Sequence, residues 1–421
     1  NGLIMEKYLG NKRVLLNDIK SFATTNCPDA ESVLDIFSGT TNVARMFKQE
    51  GYITYSNDAN RFSQVLGKTY LELDEYPKFK SLKQFMANDS NPLIGDRLLK
   101  DLLKNYNISE SEIREIIDNK LANAIKIFNF LNSLTDILPS VTYNFLNYYT
   151  QFGSKSYFKS MRGTEGKRNY FSKENAIKLD NILHYLKMWH SSEMISEPEY
   201  HFILTAVLEE VVLIANVNGT FHDFNRHKLW PNSLQDMYLK IPAVYISSAV
   251  KGSAFCDDAL VVASKNNIKA DLLYIDPPYN FRQYTAYYHL LNFIACYVEI
   301  PDLYDYLEKL SYVRGQNPED DFTSDFCFKD KFIHALDEMI CDVNPKYIIM
   351  SYYGGRNHWN HWSKGDQEKD IGFNIIQDYF QGDKYCEHSY SSVIKLRQNY
   401  QSRVGEKKKI IDEYLFFAKL A

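Results

Sequence analysis

The octapeptide Leu272-Leu273-Tyr274-Ile275-Asp276-Pro277-Pro278-Tyr279 runs four apolar residues into an acid, two prolines and an aromatic ring. A short apolar run bounded by a turn signal predicts a buried parallel strand. Two prolines neither continue a strand nor sit inside a helix, so the chain must turn sharply at Asp276. The turn then holds a carboxylate, carbonyls without neighbouring N–H donors and an aromatic ring at the carboxyl end of a strand, where open α/β sheets bind ligands. Such a turn suits gripping a planar amine, with the ring on its plane and acceptors for both of its hydrogens. The competing reading is a rigid surface turn, and the strand in front of it speaks against that.

Working outward, Ser32 to Phe37 reads as a second strand, ending in Asp35-Ile36-Phe37-Ser38-Gly39-Thr40. A helix over Val43 to Gln49, closed by Gly51, leads to a further strand over Tyr52 to Ser56 that ends at Asn57-Asp58. This is a compact βαβ unit of the nucleotide-binding kind. Gly39 permits close backbone approach to a ligand, and the following helix presents free N–H groups. The loop is not GxGxxG, which argues against a dinucleotide and its pyrophosphate. Asp58 closes the next strand, where an acid accepts hydrogen bonds from ribose hydroxyls; Asn57-Asp58-Ala59-Asn60 also fits a plain turn. Lys12 in the loop after Gly10 could pair with a ligand carboxylate or simply be a surface lysine. Asp258 could bond an adenine amine or cap a helix.

The chain has 421 residues, 45% hydrophobic, with a net charge of −5. That describes a globular protein of two or three domains. The strongest apolar stretch, Phe202 to Val217, is broken by Glu209 and Glu210, so no membrane span is expected. Asn1 to Ile4 read as an added leader ahead of a natural start at Met5, and no secretory signal is expected. Six scattered cysteines without a CxxC pair point to reduced thiols and no metal site. Residues 151–190 carry eight Lys and Arg against three acids, interleaved with tyrosines, a pattern compatible with a nucleic-acid footprint. The two site motifs stand about 240 residues apart, far beyond one βαβ crossover. Residues 75–240 therefore read as an inserted, largely helical domain, and 1–74 with 241–421 as the sheet domain. Strand-like runs return at Ala243–Ile246, Leu272–Ile275, Tyr347–Ser351 and Glu413–Lys419.

Together, Tyr8-Leu9-Gly10-Asn11-Lys12-Arg13, Asp35-Ile36-Phe37-Ser38-Gly39-Thr40 and Asp276-Pro277-Pro278-Tyr279 resemble the motifs of the D12-class, alpha-type adenine-N6 DNA methyltransferases. The extension Asn280-Phe281-Arg282-Gln283-Tyr284-Thr285-Ala286-Tyr287-Tyr288-His289-Leu290-Leu291 is similar to the branch found in restriction–modification systems, as are Tyr170–Ala176, Ala215–Thr220 and Glu413–Phe416. The resemblance implies a fold of class α/β: a Rossmann-like methyltransferase sheet with a large, mostly helical inserted target-recognition domain. It implies S-adenosyl-L-methionine as cofactor, at Tyr8, Lys12, Asp35, Phe37, Ser38, Gly39, Thr40, Asp58 and Asp258. One departure stands out. The family loop usually reads Phe-x-Gly-x-Gly, and Thr41 takes the second glycine's place, although Thr does not readily adopt φ > 0.

The implied chemistry is methylation of the N6 amine of a flipped-out adenine. Asp276 and the Pro277 carbonyl would accept the two amine hydrogens, Pro278 would shape the turn and Tyr279 would stack on the base. The implied partner is double-stranded DNA, held by the insert with Lys167 and Arg168, while Arg282 and Tyr284, just after the catalytic turn, could touch the flipped nucleotide or its phosphates or simply support the site loop; the implied place is the bacterial cytoplasm at the nucleoid. A cognate restriction endonuclease and a monomer or weak dimer belong to the same expectation. An RNA adenine-N6 methyltransferase and a catalytically silent DNA-binding subunit are the alternatives. A cytosine-N4 enzyme is disfavoured by Asp276, and a Rossmann oxidoreductase by the missing glycine pattern.

Overall fold

The structure is a computed structural model that describes residues 15–85, 109, 111, 121–245, 252–278, 284–354, 357–359, 371–397 and 409–421. The chain divides into two compact units. One comprises Gly10–Gly67, Ala249–Thr285 and Phe322–Ala421; the other comprises Lys68–Ser248 and Ala286–Asp321. The second unit thus takes in 286–321 besides the interval 75–240 expected from sequence.

The first unit is built on a seven-stranded sheet. Its strands are β1 (Ser32–Asp35), β2 (Ile53–Asp58), β3 (Ser253–Cys256), β4 (Leu272–Ile275), β5 (Tyr347–Tyr353), β6 (Tyr385–Arg397) and β7 (Lys409–Leu420), in the order β3-β2-β1-β4-β5-β7-β6. β1 to β5 are mutually parallel, with Asp35 in register with Tyr274 and Ile275 with Met350. β7 runs antiparallel between β5 and β6. The order reverses between β1 and β4, the position where open sheets leave a ligand crevice.

Both faces of this sheet are covered, which is why its central strands read as unbroken apolar runs. On one face Val33, Leu272, Tyr274, Ile349, Leu415 and Phe417 pack against α1 (Leu16–Asn26) and α2 (Asn42–Gln49). On the other, Leu34, Leu273, Ile275, Ile348, Met350 and Phe416 meet α4 (Ala259–Ser264), α5 (Phe332–Val343) and α6 (Ile371–Phe380), while α3 (Arg61–Tyr70) follows β2. Alternation of side chains along each strand sorts neighbours to opposite faces. Gly372 lets α6 close on the sheet: a Cβ there would lie 2.2 Å from Tyr352 Oη and 2.5 Å from Trp359.

One expected strand is displaced. Residues 243–245 have no regular structure, although Val244 is buried and its N–H donates to Tyr76 Oη (3.3 Å). The strand is instead β3, an edge strand of only four residues, Ser253-Ala254-Phe255-Cys256, too short for a periodic pattern to announce it.

The second unit holds the helices Ala122–Asn132, Lys173–Ser191 and Glu197–Ile214. Ser172 caps the second of these through the Asn175 N–H, and Ser196 with Glu199 forms a capping box on the third. The third helix is buried on nearly all sides, and its two buried glutamates are partnered: Glu209 accepts from Tyr70 Oη and Glu210 from the Tyr238 N–H (2.9 Å). Among the described residues no helix is long and apolar enough to cross a membrane. A short antiparallel hairpin, Tyr157–Lys159 with Glu165–Lys167, interrupts the helices.

Candidate active site

Four loops meet at the carboxyl edge of the parallel strands. After β1 the chain makes a left-handed turn through Gly39 (φ 51) and Thr41 (φ 66) before entering α2. The turn is pinned by backbone bonds from Ser38 N–H to Asn57 O (2.8 Å) and from Thr41 N–H to Ser38 O (2.8 Å). Thr41 therefore adopts the conformation that the second glycine of the family pattern would favour, at the strain of a β-branched residue in that region. Its side chain is fully buried, and its Oγ1 has no hydrogen-bond partner among the described residues.

Asp58, at the end of β2, fastens that turn. Its Oδ2 accepts the Gly39 N–H (2.8 Å), and its Oδ1 accepts both the backbone N–H (2.9 Å) and the Nδ2 (3.0 Å) of Asn60. A carboxylate offers about four lone-pair sites, so acceptor capacity remains on Oδ2. Burial nonetheless raises the Asp58 pKa, against those donors. Asp35, at the end of β1, is buried with its Oδ1 unpartnered among the described residues. Burial, and then the carboxylates of Asp276 and Asp58, push its pKa well above the usual carboxylate range, offset by the N–H groups of Ala44 and Phe37. A crowded set of acids around an unpaired oxygen is unfavourable unless a proton or a cationic ligand relieves it.

Asp276 and Pro278 are half-buried and Pro277 is buried, immediately past β4 and beside the β1 loop. Asp258 caps α4 by accepting the Leu260 N–H (2.9 Å), and burial, then Asp325 and Asp257, raise its pKa. Phe37 sets its ring edge-on to Phe326, 5.1 Å between centroids. Ser38 shares a hydroxyl contact with Ser63 (2.9 Å), and Thr40 is buried.

Asn57 does more than the turn assigned to it from sequence. Its Nδ2 donates to Ile36 O (3.2 Å) and Asp257 O (3.1 Å), and its Oδ1 accepts the Asp257 N–H (3.1 Å), tying the ends of β1, β2 and β3 together. A buried amide making three backbone bonds leaves no trace in composition; its only sequence signal is its place just before Asp58.

Asp35, Phe37, Ser38, Gly39, Thr40, Asp58, Asp258, Asp276, Pro277 and Pro278 thus lie at one edge of one sheet. Tyr8, Lys12, Tyr279 and Arg282 lie outside the described residues, and Tyr284 opens a single helical turn, Tyr284–Tyr287. Lys167 and Arg168 belong to the second unit. Lys167 is exposed and donates to Gly153 O (3.0 Å). Arg168 needs correction as a DNA contact: it is 5% exposed, and its guanidinium donates to Val313 O (3.1 Å), Tyr312 O (3.2 Å) and Lys155 O (3.5 Å). It is an internal brace with no face to offer a phosphate.

A sheet of this order, with an antiparallel seventh strand and an acid-Pro-Pro turn at its switch point, defines a Rossmann-like methyltransferase. The family model for "D12 class N6 adenine-specific DNA methyltransferase" matches residues 8–319, and the chain belongs to that family. Among curated relatives, modification methylase StsI of Streptococcus sanguinis is 28% identical over 417 residues, covering 98% of this chain and 51% of its own length. The type II methyltransferase M.FokI of Planomicrobium okeanokoites is 29% identical, over 82% of this chain and 44% of its own. The type II methyltransferase M.NlaIII of Neisseria lactamica is 26% identical, over 64% and 79% respectively. The chain spans about half the length of the first two. No solved structure is significantly similar to it.

Proposed function

We propose that this chain is a sequence-specific DNA adenine-N6 methyltransferase, acting as a modification enzyme of a restriction–modification system with S-adenosyl-L-methionine as methyl donor. The observation that carries this is the Asp276-Pro277-Pro278 turn at the β1/β4 switch point, next to a left-handed glycine loop, in a member of the D12 family.

The residues present fit that cofactor. Asp35 keeps a buried, unpartnered oxygen among acids, a setting for a cationic group, and Asp58 keeps acceptor capacity for a hydroxyl. Gly39, Thr40 and Phe37 would line the same pocket, with Tyr8, Lys12 and Asp258 completing it. When bound, the cofactor supplies an electrophilic methyl on a sulfonium.

The remaining work falls to the protein. An adenine amine is a poor nucleophile because its lone pair is delocalised into the ring. Asp276 and the Pro277 carbonyl would accept its two hydrogens and draw the nitrogen toward tetrahedral geometry. Asp276 would also stabilise the positive charge that develops on the nitrogen. Holding the amine in line accounts for much of the rate, since orientation alone can supply roughly 7–11 kcal/mol. Tyr279 would stack on the base, and the second unit would grip the duplex, with Lys167 among its contacts.

The test is transfer of labelled methyl to plasmid DNA, with modified nucleosides identified by mass spectrometry, for wild type and Asp276→Ala. N6-methyladenine from the wild type, with transfer abolished and cofactor affinity nearly unchanged in the variant, supports the assignment. Undiminished transfer by Asp276→Ala would refute it.

A further inference from the structure

In the second unit, Tyr312-Val313-Arg314-Gly315 forms a β-turn closed by the Gly315 N–H on Tyr312 O (2.8 Å), with Gly315 at φ 77. Each of its four carbonyls also accepts from a buried side chain. Arg168 donates from Nη2 to Tyr312 O (3.2 Å) and from Nε to Val313 O (3.1 Å). Tyr170 Oη donates to Arg314 O (3.1 Å), and Tyr149 Oη to Gly315 O (2.7 Å). The fit leaves no room for a side chain at 315, where a Cβ would lie 2.6 Å from the Tyr149 ring and 3.0 Å from Arg168 Cδ.

The residue that this scaffold fixes in place is Arg314. It is half-buried; its Nε is buried without a hydrogen-bond partner, and no acid pairs with it, among the described residues. Two acids beside the network are engaged elsewhere. Asp321 accepts from Tyr312 Oη (3.1 Å) and Gln316 Nε2 (2.7 Å), and Asp223 pairs with Arg226 (3.6 Å). His289 stands behind the turn, with Nε2 3.0 Å from Phe221 O and 3.3 Å from Tyr170 Oη. Burial lowers its pKa to about 3, offset by the Phe221 carbonyl and reinforced by the charges of His222, Arg314 and Arg168, so it braces the network as a neutral ring. A cation without a counter-ion, with a buried donor unused, is costly unless a partner from outside completes it.

We propose that Arg314 reads a guanine edge of the target DNA, its planar fork donating to O6 and N7 in the major groove. The inference rests on the DNA-methyltransferase reading above. Phosphate is the other common partner of arginine, but phosphate contacts only position a protein and carry no sequence information. Telling bases apart needs donors held within about 0.5 Å, and a turn braced at all four carbonyls supplies that. Asp321, bonded to Tyr312 of the same turn, would also repel a phosphate more than a base edge.

The experiment first maps the methylated motif of the full chain by single-molecule sequencing. Wild type, Arg314→Ala and Arg314→Lys are then bound to duplexes carrying that motif, and to duplexes with each G·C pair of it replaced in turn. Salt dependence and melting temperature are measured alongside. Arg314→Ala should bind the intact motif about 5- to 150-fold more weakly, the worth of one bidentate base contact. It should lose the wild-type preference for G·C at one position and keep the others. Its log–log salt slope and melting temperature should stay at wild-type values, because the side chain bonds nothing described within the unit. Arg314→Lys, lacking the fork, should not restore the preference. A loss shared by every duplex, with the slope flattened by about 0.9, would make Arg314 a phosphate contact and overturn the base reading. An alanine variant that keeps every preference, a motif without a G·C pair, or a marked fall in melting temperature overturns it too. Each of these leaves the methyltransferase reading standing, whereas a wild type that methylates no DNA overturns both.

Discussion

Replacing Thr41 with glycine should stabilise the sheet unit. Thr41 sits at φ 66, ψ 10 ahead of α2, with no side-chain capping bond and a buried Oγ1 that lacks a partner among the described residues. A non-glycine residue in the left-handed region costs about 1–3 kcal/mol, and an unsatisfied buried hydroxyl about 1–3 kcal/mol more. Against this, glycine adds about 0.5–1 kcal/mol of unfolded-state entropy, and the lost methyl removes about 0.8 kcal/mol of burial. The backbone bonds from Thr41 N–H to Ser38 O and from Arg45 N–H to Thr41 O survive the change. The balance favours Thr41→Gly by about 1–3 kcal/mol, which for a unit of this size raises the melting temperature by about 2–4 °C per kcal/mol. Thr41→Ala separates the two contributions, since it removes the hydroxyl and keeps a Cβ in the left-handed region. Calorimetry on the three proteins should place glycine above alanine by about 1–2 kcal/mol, the cost of a Cβ there. A glycine variant less stable than the alanine variant would refute the strain argument.

Arg168→Ala should destabilise the second unit by about 3 kcal/mol or more, because three carbonyls lose a charged donor. Arg168→Lys should not restore it, since an ammonium lacks the planar fork, and thermal unfolding reads both. Lys167→Ala should change stability by less than about 1 kcal/mol while weakening DNA binding and flattening its salt slope; an unchanged slope would move the DNA surface elsewhere. Asp180 accepts the N–H groups of Phe145 (2.9 Å) and Leu146 (3.0 Å), yet burial raises its pKa from 3.8 to about 8. The folded value lies above the unfolded one, so the stability linked to Asp180 is fully present below pH 4 and lost as pH rises toward 8. Asp180→Asn should therefore cost less stability at pH 8 than at pH 5 in urea titrations; an equal or larger cost at pH 8 would show that the native carboxyl is ionised throughout.

The legible parts of the fold were those whose surroundings leave a pattern in the chain. β1, β4 and β5 are covered on both faces and read as apolar runs, and the turn after β4 is written in its prolines. β6 escaped because it is the edge strand: Glu387-His388-Ser389-Tyr390 is exposed on both sides and carries no alternation. Arg168 was misread for a related reason. Adjacent basic residues look alike in composition, but successive residues leaving a strand face opposite ways, and here Lys167 went to solvent and Arg168 inward.

The site shows the same limit at the level of electrostatics. Asp35, Asp58 and Asp276 were each legible as the acid closing a strand, and each was given its own task. Their interaction follows from strand order alone, because β1 lies between β2 and β4 and brings its terminal acid into the field of the other two. No spacing along the sequence encodes that field, since Asp276 is about 240 residues from Asp35. It is the electrostatic setting that the proposed cationic cofactor would meet. Three acids gathered at the ends of adjacent strands, one with an oxygen unpaired among the described residues, favour a proton on Asp35, and a cationic ligand bound there would take over that role.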